Sequence, residues 1–342
     1  ESYTIMASIN TNNGVSFPIG TIPTMITPFI DNNNNIEIDY NAIDGLLDFY
    51  IGKGCVGIFS PCLSSEMFDL SSSERLELAK YIFTKVNGRI VVVSTGTYDG
   101  KTIEEQGEFI NEMSKYCDAV VINTSTLVPK ESSEIEWKTA METILSLTGN
   151  VKLGLYECPV PYKRLLSPDL IEWCAATNRF YFHKDTSCLS TEIKAKVKAV
   201  SKHTNFRFYN ANVETLLTSL RDGGHGFSGI SANFYPQLHV WLCKHANVHS
   251  NNGGDDKVIK EKQLQKVQDF LSLAEATVCI NYPASAKAYL CRHLFILNNH
   301  ICRTKGPDGN PKGKTPFLEH QIVALNAMRR MEQSLSKELG IV

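Results

Sequence analysis

Lys184, at the end of the segment FYFHK (residues 180–184), is the first candidate for chemistry in this sequence. Aromatic residues favour the pleated, buried surface of a strand, so the lysine is expected at the carboxyl end of one. Burial lowers the pKa of an amine toward the neutral, nucleophilic form. Taken alone, the segment also allows a second interpretation, in which the lysine reaches solvent from the end of its strand.

Two other predicted strand ends carry groups that would serve an amine nucleophile. Tyr156 lies near the end of the apolar run VKLGLYEC, and a phenol beside an amine can pass protons to and from substrate oxygens. Ser64 and Ser65 follow another apolar run, where hydroxyl and backbone N–H groups that open toward a helix can hold a carboxylate. Together these groups suit covalent amine catalysis on a 2-oxo acid.

The elements that would bring these groups together follow one repeating order. Eight apolar runs predict strands at 20–28, 54–61, 90–96, 119–124, 151–158, 180–185, 206–211 and 226–232. Amphipathic runs predict helices at 39–52, 72–86, 102–116, 133–147, 168–176, 191–202, 213–222 and 236–246. Ser167 before Pro168 and the run SSSER at 71–75 supply helix-start signals. Apolar strands that each precede a helix are typical of a parallel sheet whose outer face is covered.

The predicted fold class is α/β, a (β/α)8 TIM barrel with a C-terminal extension of three helices. Eight units in ~230 residues fit a closed barrel, and no glycine-rich dinucleotide fingerprint follows the first strand. We expect an N-terminal extension over 1–18, the barrel over 19–248 and a helical region over 257–342, with the polar segment HSNNGGDDK as a linker. The three C-terminal helices are expected at 258–276, 283–300 and 317–338.

The bulk composition excludes several classes of function. A net charge of -2, from 34 basic and 36 acidic residues, provides no basic surface for nucleic acid. No apolar run reaches the ~18–20 residues that span a membrane, and the first residues lack the features of a secretory signal. The ten cysteines form no C-x-x-C pair and lie mostly in apolar runs, as reduced, buried thiols do. We therefore expect a cytoplasmic protein that binds neither nucleic acid nor membranes and needs no metal or cofactor.

Five motifs follow one another along the chain: GTIPTMITPF, GIFSPCLSSEMFDLSSSER, LYECP, HKDTS and GISANFYP. In this order and spacing they resemble the dihydrodipicolinate synthase / N-acetylneuraminate lyase family of pyruvate-type class I aldolases. The resemblance covers the chain from about residue 18 to its end. It implies a barrel that forms an imine with a 2-oxo acid.

Carried over residue by residue, the resemblance gives each candidate a role. Lys184 matches the imine-forming lysine and Tyr156 the proton-relaying tyrosine. Ser64 with Ser65 matches the loop that binds the carboxylate of the 2-oxo acid. The residues predicted to bind substrate are Ser64, Ser65, Glu214 and Ser228.

The chain departs from the family pattern where the second substrate would bind. Leu63 replaces a loop hydroxyl, the position of the synthase's arginine falls near Pro161, and Val213 stands where sialic acid lyases have an aspartate. Glu157 replaces an asparagine and either pairs with Lys163 or contacts substrate. A 2-oxo acid and an aldehyde are therefore the expected partners, with the aldehyde unassigned.

Two hypotheses for function follow from the motifs and from the departures. The first is a Schiff-base lyase or aldolase acting on pyruvate or another 2-oxo acid. The second is a catalytically reduced family member that serves as a binding or assembly subunit. We expect His183 to face away from Lys184, and Glu66 to orient the carboxylate loop through backbone donors.

The resemblance also implies association. The family is usually tetrameric, and the apolar run AYLCRHLFIL at 288–297 is more than a thin appendage would bury on a barrel alone. The aromatic pair that joins subunits in the synthase is replaced by Ser125, Thr126 and Leu127. We predict a homo-oligomer, a tetramer, in which each active site is complete within one subunit.

Overall fold

The computed structural model describes residues 17–33, 35–246, 255–314 and 316–341. In chain order its strands are β1 (Gly20–Thr21), β2 (Phe29–Asn32), β3 (Asn35–Ile38), β4 (Gly57–Phe59), β5 (Val91–Thr95), β6 (Ala119–Asn123), β7 (Leu153–Tyr156), β8 (Phe180–Asp185), β9 (Arg207–Asn210) and β10 (Gly226–Phe227). All except β2 and β3 belong to one eight-stranded sheet. Each of these eight strands lies within a range predicted from the sequence.

The sheet closes into a barrel. Its strands pair in parallel from β4 in steps to β10, and β10 pairs with β1. Just after β1, Thr24 forms a parallel bridge to Phe59 in β4, and the Met25 N–H donates to the Phe59 carbonyl over 3.0 Å. The predicted (β/α)8 barrel is confirmed.

Helices cover the outside of the sheet. Those of the barrel are α1 (Tyr40–Gly52), α2 (Ser72–Val86), α3 (Ile103–Met113), α4 (Glu134–Leu147), α5 (Pro168–Ala176), α6 (Ser190–Val200), α7 (Leu216–Arg221) and α8 (Pro236–His245). The predicted helix starts are confirmed, because Ser71 Oγ accepts the Glu74 N–H and Ser167 Oγ accepts the Leu170 N–H. Such caps satisfy backbone donors that the first helical turn leaves unpaired.

The C-terminal helices are α9 (Asp255–Cys279), α10 (Ala284–His293) and α11 (Glu319–Glu338). They pack on the barrel. Gln268 of α9 donates to the Val213 carbonyl and accepts the Leu217 N–H over 2.8 and 2.9 Å. Glu332 of α11 accepts a 2.6 Å bond from Gln237 of α8.

The structure corrects several predictions about local elements. The antiparallel hairpin β2–β3 is absent from the strands predicted from the sequence, and its Ile36 and Ile38 pack against the core. Helix α10 ends at His293 rather than at residue 300, and Phe295 has a positive φ of 54°. Most of the predicted N-terminal extension and linker lies outside the described residues.

The fold covers part of the apolar run 288–297. Ala288, Tyr289 and Leu290 are fully buried, and Phe295 is 85% exposed. Part of the run is therefore buried within one chain, and the association inferred from the run stays a prediction. Within the described parts of the chain, none of the helices combines the length and apolar character that crossing a membrane requires.

Alternation along β8 decides which groups enter the barrel. Phe182 belongs to the interior cluster that also contains Phe59 and Tyr209, and its ring lies 5.5 and 5.0 Å from theirs. His183 lies on the other face, 5.2 Å from the ring of Phe208 and under α6. Because side chains alternate along a strand, Lys184 points inward with Phe182.

Candidate active site

Lys184 lies at the carboxyl end of β8, inside the barrel mouth. Only 4% of the residue is exposed, which excludes the interpretation that it reaches solvent from the strand end. Its Nζ lies 4.5 Å from the ring centroid of Tyr156 and 5.8 Å from that of Phe59. The amine therefore lies close to two aromatic rings that line the interior of the barrel.

Burial changes the acidity of this amine. It lowers the pKa of Lys184 from 10.5 to about 8, against the opposing effects of the Cys62 and Cys158 thiols. A fall of this size raises the neutral fraction at pH 7 by more than two powers of ten, to roughly a tenth. The amine thus becomes a usable nucleophile near neutral pH.

Tyr156 stands beside Lys184 on the neighbouring strand. The two residues are paired in the register of β7 and β8. Burial raises the pKa of the Tyr156 phenol well above its ordinary value of 10, so the hydroxyl keeps its proton. The pair therefore offers a neutral-capable amine next to a protonated phenol, the combination predicted for carbinolamine chemistry.

Ser64 and Ser65 form a single turn of 3-10 helix after β4. Ser64 Oγ donates to Thr24 Oγ1 over 3.1 Å. Ser65 Oγ donates to the Met25 carbonyl over 2.6 Å and accepts the Cys62 N–H over 3.0 Å. Ser65 thus fixes the shape of the turn, whereas the Ser64 side chain bonds the hydroxyls of Thr24 and Tyr282.

Glu66 ties this turn to the C-terminal region. Its carboxylate accepts bonds from Lys287 Nζ at 2.6 Å and from the backbone N–H groups of Arg303 and Thr304 at 2.6 and 2.8 Å. The Glu66 and Lys287 side chains are both 1% exposed. Glu66 therefore bonds backbone donors, as expected, but these donors come from residues more than 230 positions further along the chain.

Tyr282 is a site residue that the sequence prediction missed. It precedes α10, and its hydroxyl accepts a 3.0 Å bond from Asn233 Nδ2, which also donates to the Thr24 carbonyl. Burial raises the pKa of Tyr282 well above its ordinary value of 10, and hydrogen bonds to the Ser64 and Thr24 hydroxyls oppose this rise only in part. The C-terminal region thus places a phenol beside the Ser64 turn, and only the tertiary fold could have located it.

Glu214 and Ser228 lie at the ends of β9 and β10. Glu214 is exposed, and its carboxylate accepts a 2.5 Å bond from Asn212. The Ser228 hydroxyl is buried and has no hydrogen-bond partner among the described residues. Glu275 of α9 is a further carboxyl group near Glu214, and burial raises its pKa to about 7.

Neither expectation for Glu157 is correct. Its carboxylate is fully buried and lies 2.6 Å from Lys196 Nζ of α6, so it neither pairs with Lys163 nor enters the mouth. His183 faces the same outer cluster, with Nε2 3.6 Å from Glu157, as expected of a side chain directed away from Lys184. Arg164 also lies outside the site, because its guanidinium donates to the backbone carbonyls of a loop over 129–132.

All ten cysteines are free thiols, as predicted. Cys62 and Cys158 are buried near Lys184, and burial raises the pKa of both, that of Cys158 to about 11. These thiols are therefore protonated at neutral pH. They line the site as small, weakly polar side chains.

Comparisons with known proteins agree with this geometry. The model of the dihydrodipicolinate synthetase family matches residues 18–289. A 4-hydroxy-tetrahydrodipicolinate synthase of Methanococcus maripaludis is 26% identical over 238 residues, which are 67% of this chain and 75% of the relative. A monomeric dihydrodipicolinate synthase variant has a TM-score of 0.76 at 18% identity, over 93% of this chain and 97% of its own. A catalytic lysine mutant of Ruminococcus gnavus sialic acid aldolase has a TM-score of 0.74 at 14% identity, over 94% and 97%.

Proposed function

The chain belongs to the dihydrodipicolinate synthetase family, whose relatives here are class I aldolase-type enzymes, and we propose that Lys184 is the residue that forms its imine with pyruvate or another 2-oxo acid. The observation that carries this proposal is the state of that amine. Lys184 is buried beside Tyr156, and burial lowers its pKa to about 8. A lysine on a surface would be almost entirely protonated at neutral pH and would attack a carbonyl far more slowly.

The proposed reaction begins when the neutral Lys184 amine attacks the ketone carbon of the 2-oxo acid. A proton moves from nitrogen to the new alkoxide through the Tyr156 hydroxyl, which gives one proton and takes another. The Tyr156 hydroxyl then donates a proton to the carbinolamine hydroxyl, which leaves as water, and a proton from bulk water restores the phenol; a protonated imine remains. This imine withdraws electrons from the adjacent carbon, where a carbon–carbon bond breaks or forms, and water finally releases the product.

The binding residues divide between the two ends of the substrate. We assign the carboxylate of the 2-oxo acid to the Ser64–Ser65 turn, with Ser64 as the contact and Ser65 as the residue that shapes the turn. Glu214 and Ser228 are assigned to the second substrate, because one offers a carboxylate and the other a buried, unbonded hydroxyl. The aldehyde itself is not identified by these groups.

The test is reductive trapping. The protein is treated with borohydride and pyruvate, and the adduct is located by mass spectrometry of peptides. We expect a reduced pyruvate adduct on Lys184 and none in Lys184→Ala, with circular dichroism showing that the variant is folded. If no adduct forms with any of several 2-oxo acids, the catalytically reduced alternative replaces this proposal. That alternative has no support from the relatives, which are named as enzymes.

Assembly and location complete the proposal. We propose a homotetramer with each active site formed within one subunit, in a reducing compartment such as the cytoplasm, which ten free thiols favour. Light scattering should return about four times the 38.2 kDa mass of the chain. A mass of one chain at micromolar concentration would overturn the assembly and would match the monomeric variant among the structural relatives.

A further inference from the structure

A cluster of buried charges lies on the outer face of the barrel, opposite Lys184. Its members are Glu157, His183, Asp185 and Lys196, and each is at most 1% exposed. Lys196 Nζ donates to Glu157 Oε1 over 2.6 Å and to Asp185 Oδ2 over 2.7 Å. Charges this deeply buried are retained only where they are paired and hydrogen-bonded. Because these charges have almost no contact with solvent, their presence at this place in the fold needs another explanation.

The cluster does not have the form of a vacant cation site. Glu157, His183 and Asp185 offer ligand atoms that lie within 4.8 Å of one another. The ammonium of Lys196, however, contacts both carboxylates at bonding distance. A cation supplied by the chain itself thus occupies the position that a metal ion would take.

Glu157 joins the carboxyl ends of the two strands that carry the reactive pair. Its Oε2 accepts the Thr186 N–H over 3.1 Å, and its backbone carbonyl accepts the Thr186 hydroxyl over 2.7 Å. Its Oε1 also accepts the N–H of Leu166 over 3.0 Å, ahead of α5. One carboxylate thus fixes the end of β7, the end of β8 and the start of the next helix.

The cluster members are the direct sequence neighbours of the candidate catalytic residues. Glu157 follows Tyr156, and Asp185 follows Lys184. The two inward side chains are opposite each other in the register of β7 and β8. Lys196 bonds both outward carboxylates and so links the ends of β7 and β8 on the outer face of the barrel. The inner faces of the same two strand ends carry the Tyr156 phenol and the Lys184 amine.

We propose that Glu157 and Lys196 are positioning residues, which hold Tyr156 and Lys184 at the separation that proton transfer requires. The proposal rests on the proposed role of Lys184 in imine formation. The proposal requires that the rate depend on the separation between the Tyr156 phenol and the Lys184 amine. Proton transfer depends on geometry so steeply that a displacement of about 1 Å can cost on the order of 100-fold in rate.

The test separates positioning from stability through three variants. Glu157→Gln leaves Lys196 paired with Asp185 alone, whereas Lys196→Met leaves two buried carboxylates without their ammonium. The double variant leaves only the Asp185 carboxylate without its ammonium, at nearly constant volume. Lys198→Met is the matched control, because Lys198 lies on the same helix but is exposed. For each folded protein, the rate of pyruvate trapping on Lys184 and the apparent KM for pyruvate are measured, together with the melting temperature.

We expect both single variants to lower the melting temperature and to slow trapping by about 10- to 100-fold, with the pyruvate KM changed by less than about three-fold because the Ser64 turn is untouched. The double variant is expected to melt above Lys196→Met, because it leaves one unpaired carboxylate instead of two, but to trap pyruvate no faster. If Lys196→Met does not fold, Glu157→Gln decides the question by itself, because it keeps the ion pair between Lys196 and Asp185.

Two results would overturn the proposal. One is trapping at the wild-type rate in any folded variant of Glu157 or Lys196, which would leave the cluster with a structural role only. The other is a loss confined to KM. Failure of the proposed imine chemistry is distinguishable from both, because the wild-type protein and Lys198→Met would then form no adduct.

Discussion

Replacing Lys184 by methionine should make the protein more stable at neutral pH while abolishing imine formation. The ammonium of Lys184 is buried over the rings of Tyr156 and Phe59, and the groups that oppose the effect of burial are two thiols rather than a carboxylate. Charging this amine in the folded protein is therefore costly. Methionine keeps the length of the side chain and removes the charge.

The magnitude follows from the pKa. In the folded protein the pKa of Lys184 is about 8, against an ordinary value of 10.5, and each pKa unit corresponds to about 1.4 kcal/mol. The amine thus lowers the free energy of unfolding by about 3 kcal/mol at pH 7. Because the unfolded chain binds the proton more tightly, this penalty is complete below pH 8, falls as the pH rises from 8 to 10.5, and is absent above that.

The assay is urea unfolding of wild type and Lys184→Met at pH 7 and again near pH 10. The variant should be more stable by about 3 kcal/mol at pH 7, and its advantage should shrink at the higher pH. Lys196→Met is the matched control of opposite sign. Burial lowers the pKa of Lys196, but the Glu157 and Asp185 carboxylates raise it by more, so the folded protein favours the ammonium. Removal of this ammonium should therefore lower the free energy of unfolding by about 3–5 kcal/mol. A less stable Lys184→Met at pH 7, or an advantage that does not change with pH, would refute the reasoning.

Three further predictions test other parts of the site. Tyr156→Phe keeps the packed ring and removes the hydroxyl, so kcat should fall by ~10²–10⁴, and an unchanged kcat would rule out the relay. Lys287→Met leaves the Glu66 carboxylate buried without its ammonium, which should cost about 3–5 kcal/mol in urea unfolding and raise the pyruvate KM; an unaltered KM would show that the Ser64 turn holds its shape alone. Arg164→Ala should lower the melting temperature but leave the pyruvate KM within about two-fold, because the guanidinium binds backbone carbonyls outside the mouth. A ten-fold rise in that KM would place Arg164 in the site.

The barrel and the reactive pair were predictable because their signals are local. Each strand is a short apolar run bounded by a helix, and period-two alternation along β8 fixes the inward direction of Lys184. Tyr156 then follows from the in-order pairing of neighbouring parallel strands. No contact distant in sequence was needed for these assignments, although the roles given to both residues come from the family resemblance and remain proposals.

The residues that the sequence did not locate are brought in by tertiary contacts. Lys196 meets Glu157 across 39 positions. Helical spacing places Lys196 on the buried face of α6, but it does not indicate which carboxylate of the sheet Lys196 meets. Lys287 meets Glu66 across 221 positions. Tyr282 lies in a connection between two C-terminal helices, where no strand end marks it as part of the mouth. Partners of this kind depend on how helices dock, which periodicity does not determine.

The pairing register of β8 places the Lys184 amine and the Asp185 carboxylate on opposite faces of the strand, and this placement affects the pKa of the amine. The inner face carries an amine whose pKa burial lowers, and the outer face carries the carboxylate of Asp185 beside the ammonium of Lys196. A carboxylate on the inner face would favour the charged amine and raise the pKa of Lys184, which would remove the nucleophile. Because side chains alternate with a period of two, a slip of one residue would produce that arrangement, turning Asp185 into the mouth and Lys184 toward Glu157. The ion pairs that hold Asp185 outside therefore also preserve the low pKa of the amine inside.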